Sequence, residues 1–425
     1  MNWGLFVMTR NIVTLSKLRL FIPKRSAFKQ RRSMSTQPFQ QRGIARVVEE
    51  ETLPFYRPEQ FYPVYIGEVL NSKYKVLGKL GYGSYSTVWL CRDNSNHQYV
   101  ALKILTAACS KQTLSREEKA YEHLSSLGSS HIGSAYIRGL YDIFTIPGPC
   151  GPHQCLVHPP MHLSIHALRM RASSCKVTEP LLKHILFCLL QALDFLHREG
   201  NIVHSDIKAS NIMLSIDDDT ILTEFEKAEQ ESPSPRKVVD RNRAVYLSRR
   251  LPWAKNGLWG QPVLCDLGEA RIGKFHTGNI QPNIYKAPEV LFDMQWSSSA
   301  DIWNVGVMIW DIFENKHLFN ALDEDCQYSP SHHVAEMVAH LGLPPLHFLQ
   351  RSEETRNVFD ENGEWLGAGG VSIPPISLEE SEENLDGQSK PLFLEFMRKM
   401  LRWVPEERKT AQELLDDPWL NDSAS

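Results

Sequence analysis

The stretch "HSDIKASN" (204–211) sets Asp206, Lys208 and Asn211 close together, just after a long apolar-periodic segment that closes on Gly200. A carboxylate, an ammonium and an amide on one short loop can accept a hydroxyl proton, neutralise a phosphate and hold a hard cation. Downstream, "VLCDLGEAR" (263–271) ends a short apolar strand on Asp266 beside Gly268, a placement suited to a divalent cation. Upstream, "LGKLGYGSYSTVWL" puts Gly81 and Gly83 between two strand-like runs. Backbone N–H groups there can approach phosphates because glycine adds no side chain. "VALK" follows and places Lys103 inside an apolar strand, where an ammonium is costly to bury unless paired. Glu117, on the next helical stretch, is available as its partner. Taken singly, each feature is ordinary: a hairpin turn, a lysine that snorkels to water, an aspartate in a turn. Their ordered series points to phosphate chemistry.

The elements that must position these residues fall into two parts. "YKVLGKL", "STVWLCRD" and "YVALKIL" read as strands between residues 74 and 105, with Gly and "DNSNH" as turn signals. A helix is predicted near 115–127, then a loop at "PGPCGPH" and a strand at "QCLVHP". From Thr178 the character changes. "TEPLLKHILFCLLQALDFLHREG" has a Thr cap, an early Pro, helical apolar spacing and a closing Gly. Further helices are predicted at 298–313, 332–341, 391–401 and 411–415. A sheet-rich part followed by a helix-rich part implies an α+β protein of two lobes. Two segments, 215–261 and 353–386, read as solvated insertions; the second holds ten acids against one base.

Composition narrows the function classes. The 425 residues are 42% hydrophobic and 23% charged, an ordinary globular balance, and the net charge of -4 carries no overall nucleic-acid footprint. No uninterrupted apolar run approaches the length of a membrane span, so 181–195 reads as a buried helix. Eight cysteines in a chain of this length suit a reducing compartment. Cys150, His153 and Cys155 lack a second ligand pair for zinc and read as a loop entering a strand. Residues 1–48 hold ten Lys or Arg and no acid, which fits a mitochondrial transit peptide or a disordered basic tail.

The motifs together resemble a eukaryotic protein kinase over about 74–419. In order they are "GYGSYSTV", "VALK", Glu117, "HSDIKASN", "DLG", "APE" (287–289), "DIWNVG" (301–306) and Arg408 in "PEERKTAQELLDDPWL". The resemblance implies a bilobed kinase-like fold: a β-rich N-lobe at 74–158, a helical C-lobe at 162–419 and an insert at 215–261. It implies ATP and Mg²⁺ as cofactors and assigns roles. The loop Leu80, Gly81, Tyr82, Gly83, Ser84, Tyr85, Ser86, Thr87 and Val88 would cover ATP. Lys103 would hold the α- and β-phosphates and pair with Glu117, with Glu118 as the rival. The C=O of Pro159 and the N–H of Met161 would meet adenine, so Pro160 between them does no harm. Asp206 would orient or deprotonate the substrate hydroxyl, and Lys208 would steady the γ-phosphate. Asn211 and Asp266 would hold the metal ions. Glu289 and Arg408 would form a buried ion pair, and Asp301 would bond the catalytic-loop backbone.

Within that family the chain is most similar to the SR-protein kinases of fungi, on "DIK", "DLG", the insert at 215–261 and "VLCDLGEA". This implies transfer to Ser or Thr of a protein partner that is Arg-Ser-rich or otherwise basic. It further implies no direct nucleic-acid contact, no membrane span and a monomer. The location would be intracellular: cytoplasm and nucleus, or mitochondria if the leader is a transit peptide.

Several positions depart from the family pattern. Ser205 stands where most protein kinases have an Arg that pairs with a phosphate on the activation segment, and Thr277 is the only Ser or Thr from Asp266 to Glu289. The expectation is activity without phosphorylation of that segment. Ser86 replaces the third glycine, Pro282 replaces a Thr that contacts the catalytic pair, Lys286 replaces an Arg, and His158 occupies the gatekeeper position. These changes leave a second reading, a pseudokinase scaffold that binds nucleotide or partners without transfer. A small-molecule kinase is disfavoured by "APE", Asp301 and Arg408.

Overall fold

Apolar and β-branched runs separated by tight turns build the first part of the chain. In a computed structural model, which describes residues 47–107, 111–253 and 259–422, these runs form six antiparallel strands. They are β1 (Val69–Leu70), β2 (Tyr74–Gly83), β3 (Ser86–Asp93), β4 (Tyr99–Leu105), β5 (Asp142–Gly148) and β6 (Gly151–His158), in the order β1-β2-β3-β4-β6-β5. The Gly-rich stretch is a strand–turn–strand, with Ser84 and Tyr85 between Gly83 and Ser86. The register sets Val88 and Leu156 on either side of Lys103, so this lysine lies in the middle of the sheet. Helix α1 (Lys111–Ser126) brings Glu117 to it. The leader lies outside the described residues up to position 46. Cys150 and His153 sit at the β5–β6 hairpin, and among the described residues no cluster of metal-ligating side chains occurs.

The second part is organised around two buried helices. After α2 (Ile165–Arg169), α3 (Glu179–Asp194) continues through one π-helical turn to Glu199. This helix is long and apolar enough to cross a membrane, but most of it is buried inside the protein. Leu182, Ile185, Leu186 and Leu189 face the core at helical spacing. The strands β7 (Ile202–Val203) and β8 (Ile212–Leu214) flank the loop 204–211.

The segment 215–261 is not a solvated loop. It folds as α4 (Thr220–Glu231) and a hairpin, β9 (Arg236–Asp240) with β10 (Arg243–Tyr246), and both pack on the sheet. Ile221, Leu222 and Phe225 cover Leu77, Leu90 and Tyr99, closed by Leu251. Phe225 lies so near Gly78 that a Cβ there would come within 2.8 Å of its ring. Glu226 accepts a 2.6 Å hydrogen bond from Arg92. The acidic residues of α4 mask a narrow apolar stripe, which is why composition reads as solvated. The segment 353–386 differs in the same way: its acids are largely exposed, but Val358, Phe359, Leu378 and Leu385 enter the main core.

Beyond the insert, β11 (Pro262–Leu264) pairs with β8, and β12 (Arg271–Ile272) pairs with β7. The two short ladders bracket both functional loops, 204–211 and 265–270. A four-residue helix, α5 (Pro288–Leu291), precedes α6 (Ser299–Phe313), of which every residue from Ala300 to Phe313 is buried. Helices at Pro330–Leu341, Ser389–Met400 and Ala411–Leu415 complete the helical part.

Phe225→Ala should lower stability by about 3 kcal/mol, because it empties a fully packed contact between insert and sheet. Urea unfolding followed by tryptophan fluorescence checks this. An unchanged midpoint would mean that the insert does not brace the sheet.

Candidate active site

The site lies where the sheet meets the helical part. Burial alone would make the Lys103 ammonium easier to deprotonate, but Asp266 and Glu117 more than offset this and raise its pKa. Lys103 Nζ donates to Glu117 Oε2 at 2.9 Å and Oε1 at 3.2 Å, and to Asp266 Oδ1 at 3.0 Å. Lys103 holds the Asp266 carboxyl well below the usual range, against the effect of burial. Glu117 moves the other way, because burial outweighs the stabilisation from Lys103. Glu118 instead accepts a hydrogen bond from Gln154 at 3.0 Å, so Glu117 is the partner. Asp266 adopts φ +68, a left-handed conformation that Asp tolerates better than most residues. Lys103 takes Oδ1 and leaves Oδ2 for a cation.

Across the cleft, Asp206 carries two partners from its own loop. Lys208 Nζ donates to its oxygens at 2.9 and 2.8 Å, and Asn211 Nδ2 donates to its Oδ2 at 2.8 Å and its C=O at 2.9 Å. With its NH₂ group engaged in this way, Asn211 has its amide oxygen available as a metal ligand. These residues fit a divalent cation: a hard ion needs oxygen donors, and Asp266 and Asn211 supply them from two adjacent loops.

Asp301, fully buried at the start of α6, holds the loop backbone. Its Oδ2 accepts from His204 N at 2.8 Å and from the His197 ring at 2.9 Å, and its Oδ1 accepts from Ser205 N at 2.7 Å. Ser205 has φ +62 and is completely buried. Its hydroxyl donates to the Glu269 carbonyl at 2.5 Å. Glu269 in turn offers its carboxylate to Arg116 of α1 at 3.2 Å and to Arg271 at 3.5 Å. The segment after Asp266 is thus anchored by a serine and a carboxylate that are always present. The Arg408 guanidinium grips Glu289 bidentately at 2.7 and 2.6 Å and also donates to Ser299 O.

The departures have local accommodations. His158 is buried and held neutral, first by burial and then by the nearby Arg138 guanidinium. Its Nδ1–H donates to Gly139 O at 2.9 Å. The loop at Pro282 lacks the threonine hydroxyl and is braced instead by Gln281. That side chain accepts from Ala287 N at 2.9 Å and donates to Ala300 O at 3.1 Å. Asn304 adds a 2.6 Å bond to Tyr285 O.

Leu80, Gly81, Tyr82, Gly83, Ser86, Val88, Lys103, Glu117, Met161, Asn211 and Asp266 line one cavity. Ser84 and Tyr85 form the turn above it, Thr87 points into the sheet, and Asp206 and Lys208 lie on the same loop as Asn211. Pro159 is bonded through its carbonyl to Arg138. Sequence reasoning missed four residues. Arg138 interrupts the apolar run "YIRGLYDIF", which is a signal that was available. Arg249 and Leu251 reach the cleft only because the insert folds back. Lys79, completely buried, is paired with Glu50 and donates to Tyr246 O at 3.1 Å, a contact between distant segments.

A two-lobed fold with this cluster defines a phosphotransferase of the protein kinase class. The protein kinase domain model matches residues 74–248 and 259–420, and the chain belongs to that family. A serine/threonine protein kinase of Aspergillus fumigatus is 45% identical over 376 residues, covering 88% of this chain and 91% of that protein. The serine/threonine-protein kinase SRPK of Physarum polycephalum is 26% identical, covering 88% and 92% of the two chains. Protein kinase dsk1 of Schizosaccharomyces pombe is 24% identical, covering 88% and 86%. A crystal structure of another kinase domain superposes with a TM-score of 0.62 at 21% identity, covering 85% of this chain and 99% of that one, and supports the fold. The chain is a serine/threonine protein kinase with SRPK-like relatives, and ATP is the family's phosphate donor.

The depressed Asp266 pKa carries a sign. Its ion pair contributes stability above the unfolded carboxylate range near about 3.9, and that contribution is lost as pH falls through and below that range. Wild type should therefore lose stability relative to Asp266→Asn between about pH 5 and pH 3. The difference should be modest, because the Asp266 side chain is 46% exposed. Parallel urea titrations at several pH values read it; a difference independent of pH would contradict the pairing.

Proposed function

We propose that this kinase transfers the ATP γ-phosphate through Asp206, with Lys208, Lys103 and two metal-binding side chains as its electrostatic apparatus. The observation that carries this is the Lys103 ammonium, fixed by Glu117 and Asp266, in one cavity with Asn211 of the Asp206–Lys208–Asn211 loop and with Gly81 and Gly83 at the end of β2. In this reading the backbone from Leu80 to Val88 covers the phosphates. Lys103 neutralises the α- and β-phosphates, and the Asp266 and Asn211 oxygens hold Mg²⁺. Asp206 orients the substrate hydroxyl and takes up its proton. Lys208 offsets charge on the moving phosphoryl group; in such reactions positioning and charge stabilisation supply nearly all of the catalysis.

The reading divides the kinase domain at 74–419 into an N-lobe to about 158 and a C-lobe from about 162, with 215–261 as a brace on the N-lobe. The substrate is read as an Arg-Ser-rich or otherwise basic protein. Support comes from the SRPK-named relatives and from the exposed acids of 353–386, among them Glu353, Glu354, Glu361 and Glu380. The protein acts as a monomer without direct nucleic-acid contact. It works in cytoplasm and nucleus by likeness to the SR-protein kinases; the basic leader supports mitochondria as the alternative.

Phosphate transfer from labelled Mg-ATP to an Arg-Ser repeat peptide and to a generic basic protein tests the proposal. Asp206→Asn and Lys103→Met should each lower transfer by about a thousandfold or more. Asp206→Asn should leave the melting temperature within a few degrees, whereas Lys103→Met, which leaves the Glu117 and Asp266 carboxylates without their cation, should lower it further while the protein stays folded. Transfer surviving in Asp206→Asn would sink the assignment. A stronger signal on the generic basic protein would sink the Arg-Ser preference, and no transfer to either would sink the substrate class.

Because Ser205 is buried and already bonded to Glu269 O, Thr277→Ala should retain nearly full activity. Glu269→Ala, which removes the carboxylate between Arg116 and Arg271, should cost several-fold more than Thr277→Ala. Initial rates of the unphosphorylated proteins decide this, and a large loss in Thr277→Ala would contradict it.

A further inference from the structure

Arg138 stands in the cleft, and the phosphate chemistry leaves it without a task. Its backbone N–H is fixed by Leu264 O at 2.9 Å. Its side chain reaches the hinge, where Nε and Nη2 both donate to the Pro159 carbonyl at 3.2 and 2.9 Å. It lines the cavity together with Ala101, His158 and Met161. The acceptor expected to receive the 6-amino group of adenine is therefore already engaged by a cation with five N–H donors.

Along the hinge come the guanidinium donors on Pro159 O, then Pro160 without an N–H, then Met161, which lines the cavity and whose N–H and C=O are the next main-chain groups. A 6-aminopurine presents a donor and then an acceptor on this edge, so its amino group meets the guanidinium donor to donor. A 6-oxopurine presents an acceptor and then a donor. Its O6 can accept from Arg138 and from Met161 N–H while N1–H donates to Met161 C=O. A polar group left unpaired in a pocket costs binding, so the guanidinium offsets the advantage a hinge carbonyl otherwise gives the 6-aminopurine. We infer that Arg138 makes the base end of this cleft accept a 6-oxopurine, so that the enzyme uses guanosine or inosine triphosphate as phosphate donor with an efficiency comparable to ATP. The γ-phosphoryl group passes from the nucleoside triphosphate to the substrate hydroxyl, leaving the diphosphate and one proton, as with ATP.

The inference rests on the nucleotide cleft described under Proposed function, so its test separates binding from transfer. The full chain, Arg138→Met and Arg138→Lys would each be titrated calorimetrically with the Mg²⁺ complexes of ATP, GTP and ITP. Transfer to a basic protein would be measured with each nucleotide. Wild type should bind GTP and ITP within about tenfold of ATP, and Arg138→Met should move the GTP:ATP ratio toward ATP by about tenfold or more. Arg138→Lys keeps the charge without the planar fork and should fall between. It also carries the comparison if Arg138→Met does not fold. ITP following GTP identifies O6 rather than the 2-amino group as the recognised atom. Strong preference for ATP at an unchanged ratio in the variants, or binding of no nucleotide, overturns the inference. Binding with the expected shift but without transfer would count against the phosphotransfer reading and leave the base preference standing.

Discussion

The molecule depends on the placement of one ammonium. Lys103 comes from the centre of a β-sheet, Glu117 from a helix, and Asp266 from a loop between two short ladders of the helical part. A lysine in that position without carboxylate partners would be driven toward its neutral form. With them it remains charged, and its charge ties the sheet to a helix and a loop that both pack into the main core. The same contact that stabilises the ion therefore aligns the sheet with the catalytic loop. Stability of the cluster and competence of the site are two results of one geometry.

The surrounding structure limits how far this arrangement can drift. Asp301 gathers His197 and the backbone of His204 and Ser205 onto one buried carboxylate, so the catalytic loop is hung from α6. Glu289 and Arg408 tie the segment after the loop to the last helices, a pair whose complete burial makes either partner alone costly. On the sheet side, the insert and residues 49–51 form an outer layer. Phe225 fills the space over Gly78, Lys79 is enclosed by Glu50 and Tyr246, and Lys237 meets Glu51 at 2.9 Å. The Gly-rich strand is thus clamped at its base while its turn stays open over the cleft.

The substitutions at family positions are consistent with this frame. Ser205 gives up a charged contact to phosphate and gains a neutral contact to a main-chain carbonyl, while Glu269 supplies the anion between Arg116 and Arg271. His158 is neutral and so adds no further cation to the pocket that holds Lys103 and Arg138. Gln281 and Asn304 brace the loop where Pro282 cannot donate. Each replacement trades a regulated or side-chain-specific contact for a permanent one.

The sequence by itself determined the inventory of the candidate site and most of the helical part. Lys103, Asp206, Lys208, Asn211 and Asp266 stand in short motifs whose spacing reflects loop chemistry, and local spacing is legible in a linear chain. The predicted helices at 298–313 and 411–415 match 299–313 and 411–415 because apolar periodicity and caps act over a few residues. Only the tertiary structure decided three things: that 215–261 and 353–386 are packed rather than solvated, that Lys79 is enclosed by residues from positions 50 and 246, and that Arg138 bonds the hinge carbonyl. The physical reason is the same in each case. An amphipathic segment rich in charge declares its polar face in its composition. Its narrow apolar face, or a lone cation, acquires meaning only when a distant surface arrives to meet it.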